Sequence, residues 1–351
     1  MIAFSAFADL GGNRFRERGG LDFEDFAEGQ VFHHRPGITA TQRDNVEDSL
    51  LSHNQAMIHF DHHYSSKTEF KRPLVVSTVT IQRAIGMAWK TFGLRKRILG
   101  WPSIRMTAPV FDGDTLYSSS RILGAEAGDD PEAGLLHVET VATNQDGATV
   151  CQMRWDVTIY RRAAWARVAP SYAVAGAPAA TQFGSHMRRD DGALVEKLGV
   201  EFAELSEGQI FEHRPPFVFS WQEVRLRALL GGDHAAVVLD PALTAVDGRP
   251  AIAEYWMLNV TAAVTTRTFG RVVANLQWEP IRVEGVARDG DVLYVESEIL
   301  GKRMSSSRPD QGIAHVAARA RLQDGTPVLS FERRFLMYLS PAGPHSAAGY
   351  V

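Results

Sequence analysis

The stretch FEDFAEGQVFHHRP, Phe23 to Pro36, returns as FAELSEGQIFEHRP, Phe202 to Pro215, with Glu28-Gly29-Gln30 matched by Glu207-Gly208-Gln209 at a spacing of 179. Arg72-Pro73 is matched by Arg249-Pro250, and FDGDTLYSSSRILG (Phe111 to Gly124) by RDGDVLYVESEILG (Arg288 to Gly301), both at a spacing of 177. Near the end of each copy, Gln145-Asp146-Gly147 is answered by Gln323-Asp324-Gly325. The order is kept and the offset drifts only as small loop insertions would make it drift, so the chain is a tandem duplication. Copies are expected over 1–162 and 191–342, with a tail at 343–351. Between them, Ala163 to Asp190 is rich in Ala, Pro and Gly without clear periodicity and reads as a linker. Gly184-Ser185-His186-Met187 inside it is also the string left by tag cleavage, which leaves open one natural tandem chain or two chains joined at Met187.

A chain of 351 residues allows each copy a core of its own. Apolar residues at 45% and charged residues at 22% are those of a soluble globular chain, not of a disordered or collagen-like one. Cys151 is the only cysteine, which excludes an intramolecular disulfide and a cysteine-based metal cage and favours the cytoplasm. The N-terminus lacks a basic region ahead of an apolar run, and no stretch reaches the ~18 apolar residues of a membrane span. Net charge is −4, with 37 basic against 41 acidic residues, so no electrostatic footprint points to nucleic acid. The basic residues are nearly all Arg, as GC-rich bacterial genes encode.

Each copy repeats one pattern. In the first, Thr41 with Asp44 three residues on forms an approximate capping box for a short helix, followed by a polar loop, Ser52 to Tyr64. Leu74 to Gly93 reads as one long apolar helix ending at glycine. Four strands are expected at Ile98 to Val110, Thr115 to Leu123, Leu135 to Thr143 and Thr149 to Tyr160, with Asp-Gly turns at Asp112-Gly113 and Asp146-Gly147. One long helix beside an antiparallel sheet is an α+β layer architecture. A sheet curved around such a helix is the hotdog arrangement, and two copies are expected to pair sheet to sheet as a double hotdog.

The loop between the helices reads Ser52-His53-Asn54-Gln55-Ala56-Met57-Ile58-His59-Phe60-Asp61. It resembles the hydratase motif D-x-N-P-[LIV]-H-x-[DE] of the MaoC-like, (R)-specific enoyl-CoA hydratases, in which an R-P-[IV]-V-H-G stretch follows. Ile58, His59 and Asp61 match the end of the first motif, and Arg72-Pro73-Leu74-Val75 the start of the second. Asn54 stands at the aspartate, Met57 at the proline, and Val76-Ser77 at the His-Gly pair. An asparagine five residues before the histidine is similar to the mesaconyl-CoA (2-methylfumaryl-CoA) hydratase branch. The resemblance covers the chain outside the linker and the N-terminal arm, and implies hydration or dehydration of an acyl thioester carried by CoA or a carrier protein. Family members use no metal or other cofactor, and a homodimer of double-hotdog units is one assembly the resemblance leaves open.

Adding water to an enoyl thioester needs a base for the water, a proton for the α-carbon and a donor for the enolate oxygen. His59 suits the proton transfers because its ordinary pKa lies near working pH. Asn54 cannot ionise, so it can only orient the water and help fix the imidazole. The resemblance makes the backbone N–H of Ser77, at the start of the hotdog helix, the enolate donor. Val75, Val76 and Thr78 are the accompanying substrate contacts, and Arg95-Lys96-Arg97 could meet CoA phosphates, although a short charge run is usually a solvated face. His53, His62 and His63 are expected to face solvent rather than to bind metal. Asp61 is expected to be a loop-stabilising acceptor.

In the second copy the equivalent loop runs Gly231-Gly232-Asp233-His234-Ala235-Ala236-Val237-Val238-Leu239-Asp240. Asp233 keeps the family aspartate, but Val238 replaces the histidine and Ile252-Ala253-Glu254 replaces Val75-Val76-Ser77, so this half should be inert. Two rivals stay open: a hotdog thioesterase, for which the helix start offers no carboxylate, and a non-catalytic acyl-thioester-binding protein.

Overall fold

The computed structural model describes residues 2–52, 54–171, 174, 176–230, 233–339 and 344–348. In chain order its elements are β1 (Ile2–Ser5), β2 (Phe7–Asp9), β3 (Arg14–Glu17), β4 (Val31–Thr39), α1 (Gln42–Leu51), α2 (Met57–Phe60), α3 (His62–Ser65), α4 (Ser77–Met87), α5 (Trp89–Phe92), β5 (Arg95–Met106), β6 (Thr115–Glu126), β7 (Ala133–Thr143) and β8 (Thr149–Tyr160). There follow α6 (Arg162–Val168), β9 (Gly184–Arg188), β10 (Leu194–Glu196), β11 (Ile210–Val218), α7 (Trp221–Leu230), α8 (Ala236–Leu239), α9 (Glu254–Val264), β12 (Val272–Val283), β13 (Val292–Met304), β14 (Gln311–Arg321), β15 (Pro327–Tyr338) and α10 (Pro344–Ala347). The four expected strands are β5 to β8, paired antiparallel through the order β4-β6-β7-β8-β5. Their alternating buried and half-buried residues place one face on the core, as in β7 and β8. No helix among the described residues is long and apolar enough to cross a membrane.

The repeated Glu-Gly-Gln has a geometric cause. Gly29 and Gly208 take φ of +85° and +79°, which a side chain disfavours, and each donates its N–H across to the following hairpin, to Ile122 O and Ile299 O. Gln30 and Gln209 fold back so that their Oε1 accepts the N–H of Ala27 and Ser206 at 2.8 and 2.7 Å. The same turn therefore opens β4 and β11. Thr41 and Asp44 form the expected reciprocal capping box on α1.

Two expectations are corrected. The apolar run Leu74 to Gly93 is not one helix: Leu74 bridges to Phe111, Val75 N–H bonds Val110 O, the helix starts only at Ser77, and it breaks at Ala88 between α4 and α5. Nor do the copies join sheet to sheet. They exchange arms. Strand β10, from the second copy, lies parallel on β4 of the first, and β3, from the first, lies parallel on β11 of the second. Among the described residues the result is one sheet of eight strands and one of seven. The stretch 163–190, read as linker, carries α6 and β9, and the Gly184-Ser185-His186-Met187 string is β9 itself, paired with β1 and β10.

Both exchanges are driven by burial. Phe7 and Phe15 from the first arm pack edge-on against Phe211 and Phe183 in the second copy's core. Leu194 enters the first copy's core, and His186 packs on Phe32. A fully buried aromatic contributes roughly 1.5–3 kcal/mol, so each arm is anchored by its own side chains.

Each exchanged strand also ends in a buried glutamate. Glu196 accepts from His34 Nδ1 at 3.0 Å, the Thr91 hydroxyl at 2.7 Å and Arg35 N–H at 3.1 Å. Because a carboxylate only accepts here, Nδ1 carries a hydrogen toward Glu196, and His34 Nε2 lies 2.8 Å from the Ser120 hydroxyl. In the other half Glu17 faces His213 at 3.3 Å, Thr268 at 2.5 Å and Arg214 N–H at 2.8 Å, with Ser297 at 2.9 Å from His213 Nε2. Burial alone would raise the pKa of Glu196, but the nearby cationic and hydrogen-bonding groups, His34 first, hold it below the ordinary value. His186, hydrogen-bonded to Thr91 at 3.1 Å, has its pKa lowered to about 4 by burial and is neutral.

Candidate active site

The His59 loop is folded by short-range bonds. Asn54 Oδ1 accepts Ala56 N–H at 2.9 Å, an Asx turn that starts α2, and Asp61 Oδ1 accepts Tyr64 N–H at 2.9 Å and caps α3. His59 therefore stands on a single helical turn, half-buried, with its ring held from one side: Nδ1 lies 2.8 Å from Leu74 O. A carbonyl oxygen only accepts, so in the neutral ring Nδ1 carries the hydrogen and Nε2 keeps its lone pair. His59 is thereby fixed as a proton acceptor at Nε2.

Leu74 lies three residues before the first turn of α4. Val76 is the N-cap, and its N–H is taken by Asn45. The next two N–H groups, of Ser77 and Thr78, carry no hydrogen bond among the described residues, as first-turn amides do unless something caps them. Two open donors at a helix N-terminus suit a developing negative charge.

Asn45 is the residue that sequence reasoning missed. It is fully buried, and its side chain donates to His59 O at 2.8 Å and Leu74 O at 2.7 Å while accepting Val76 N–H at 2.8 Å. Gln42 Nε2 adds a 2.7 Å bond to His59 O. One amide thus pins the histidine turn to the start of the helix. Val224 takes this place in the second half and Trp221 that of Gln42, at the spacing of 179 that relates Val238 to His59. Val224 and Val238 both join the apolar core there, while Asp233 makes the same Asx turn, to Ala235 N–H at 2.9 Å. The aspartate position therefore survives as turn chemistry, and the polar clamp and the imidazole are gone together.

The remaining expectations divide. Ser77 and Thr78 are exposed beside the His59 anchor, but Val75 and Val76 are buried in the core cluster, so their side chains pack the fold. Arg95, Lys96 and Arg97 open β5, which follows α5 in the chain, and are exposed. Lys96 is engaged by Asp130 and Glu132 at 2.9 and 3.0 Å. His62 and His63 are exposed, and His53 with Gly231 and Gly232 lies outside the described residues.

Replacing Asn45 by alanine leaves the buried Val76 N–H unsatisfied and removes one of the two donors from each of His59 O and Leu74 O. It is expected to cost about 2–4 kcal/mol of unfolding free energy. Any hydration rate should fall by about 10–100-fold, through a displaced His59. Denaturant melts and kcat on the folded variant check this, and an unchanged kcat would remove Asn45 from the site.

Comparison with known proteins bears on the same region. The family described as "MaoC like domain" matches residues 24–144, a range that holds Asn45, Asn54, His59 and Ser77. The chain is 26% identical over 135 residues to a β-methylmalyl-CoA dehydratase of Chloroflexus aurantiacus, and the match covers 38% of this chain and 38% of that protein's length. Among solved structures, a MaoC domain dehydratase from the same organism aligns at 19% identity over 92% of this chain and 99% of its own, with a TM-score of 0.40. A Mycobacterium tuberculosis protein described as a double hotdog aligns at 20% identity over 91% and 99%, with a TM-score of 0.39.

Proposed function

We propose that the protein is an enoyl-thioester hydratase or 3-hydroxyacyl-thioester dehydratase, with one working site per chain, at His59. The observation that carries this is the pairing of a tautomer-fixed imidazole with two uncapped N–H groups a few residues along one pinned segment. In the hydration direction, His59 Nε2 takes a proton from water as its oxygen bonds to the β-carbon. Electron density moves onto the thioester oxygen, which the Ser77 N–H receives, with that of Thr78 beside it. The proton is then returned to the α-carbon, so water is added across the double bond and His59 is regenerated. Asn54, whose Oδ1 is committed to the turn, contributes its NH₂ to holding the water. The MaoC-like match over the first copy and the similarity to a dehydratase of a branched acyl-CoA support the reaction type and favour a branched or dicarboxylic acyl group, such as mesaconyl, carried by CoA.

The test is a panel of enoyl-CoAs of varied length and branching, followed by mass spectrometry. Gain of one water on a branched or dicarboxylic member is expected. Release of free CoA thiol without hydration would identify a thioesterase instead, and binding without turnover across the panel would leave a carrier of acyl thioesters.

A further inference from the structure

Between the two halves lies a pocket of about 70 Å³, partly open to solvent and walled by both. Two of its cations, Lys90 from α5 and Arg267 from the 3-10 turn Thr265–Arg267, occupy equivalent positions in the two copies, 177 residues apart. Both donate to backbone carbonyls: Lys90 Nζ to Arg35 O at 3.3 Å and Lys197 O at 3.0 Å, and Arg267 Nη1 to Pro215 O at 3.1 Å. Neither has a carboxylate within salt-bridge reach among the described residues. Arg267 Cζ lies 5.6 Å from the centroid of the Trp89 ring.

The other charges on the wall are already spent. Arg18 is paired with Asp22, Lys197 with Glu204 at 3.0 Å, and Arg214 with Glu212 at 3.2 Å. Glu17 is saturated by Thr268, His213 and Arg214 N–H. Burial lowers the pKa of Lys90, with Glu196 and Glu17 opposing from a distance, as expected of a cation with no counter-ion in contact. Both are half-buried with no carboxylate in contact, and two such cations at equivalent positions on the wall of one pocket leave a place for an anion. At Gly20 and Gly199 the backbone passes so close to the turns that follow α5 and Thr265–Arg267 that an added Cβ would lie 2.8 Å from Leu94 N and 2.2 Å from Thr268 O.

We propose that this cavity binds a small oxyanion of phosphate or sulfate size, bridged by Lys90 and Arg267, and so ties the two halves together from within. The site is separate from His59 and stands whatever reaction occurs there.

The experiment is thermal unfolding of the full chain at constant ionic strength, with sodium chloride exchanged stepwise for inorganic phosphate or for sulfate, in the natural protein and in Lys90→Gln and Arg267→Gln. A saturable rise in Tm is expected with both oxyanions in the natural protein, and the apparent Kd should weaken by about tenfold or more in each variant, as the loss of a charge-assisted bond implies. General exclusion of these salts from protein surfaces gives an unsaturating rise that all three proteins share. That outcome overturns the proposal, as does a phosphate response equal to the chloride response. Should one variant fail to fold, the other decides.

Discussion

His59→Ala is expected to lower the rate of enoyl-CoA hydration by about 10²–10⁴-fold, the usual contribution of a general acid–base group, while leaving unfolding free energy within about 1 kcal/mol. The imidazole is half-buried, and the carbonyl it bonds, Leu74 O, has a second donor in Asn45. Its loss therefore leaves no orphaned acceptor. The equivalent change in the other half, Val238→Ala, should do the reverse: it opens space in a packed core and costs about 1–3 kcal/mol, with the rate unchanged. Following the loss of enoyl-thioester absorbance and a denaturant melt on both variants gives a double dissociation. Equal loss of rate in the two would sink the assignment of the site to the first half.

Glu196→Ala is expected to be among the most destabilising single changes in the chain, at about 3–5 kcal/mol. The magnitude follows from what remains. His34 Nδ1–H, the Thr91 hydroxyl and Arg35 N–H would point at an empty, dry space, with Ser120 still bonded to the far side of the imidazole. Glu196→Gln keeps the shape but offers one accepting oxygen where two are in use, so it should also destabilise. An exposed pair such as Arg43 and Glu47 gives the contrast, because Arg43→Ala should fall within about 0.5 kcal/mol of the natural protein. Denaturant unfolding of the three variants measures the difference, and a Glu196→Ala midpoint close to that of Arg43→Ala would show that the buried network is not what holds the arm.

The duplication, the strands β5 to β8 and the turn residues were legible because each rests on local chemistry: a glycine at positive φ, an Asp-Gly turn, alternating burial. The helix length was not. Leu74 to Val76 are apolar for the sake of a bridge to Phe111 and Val110, and periodicity cannot separate a buried strand-like approach from a helical turn. The arms were missed because β3 and β10 share almost nothing but the terminal glutamate. A signal was present all the same: Glu17 and Glu196, His34 and His213, Ser120 and Ser297 recur at the duplication spacing, polar pairs kept in both copies while the His59 position diverged. His59 could be found by its motif. Asn45 could not, since an asparagine on a polar helix reads as surface until the fold shows three backbone groups converging on it.

The exchange of arms also dictates an order of assembly during synthesis. When β8 has left the ribosome, the first copy still lacks the strand that lies against β4, and it must wait for residues 184–196 before His34 meets its carboxylate. The second copy has no such delay, because β3 is already made when β11 emerges. Translation from N- to C-terminus therefore completes the half that has lost its histidine on a strand waiting for it, whereas the half that carries the proposed chemistry is closed only by its sibling.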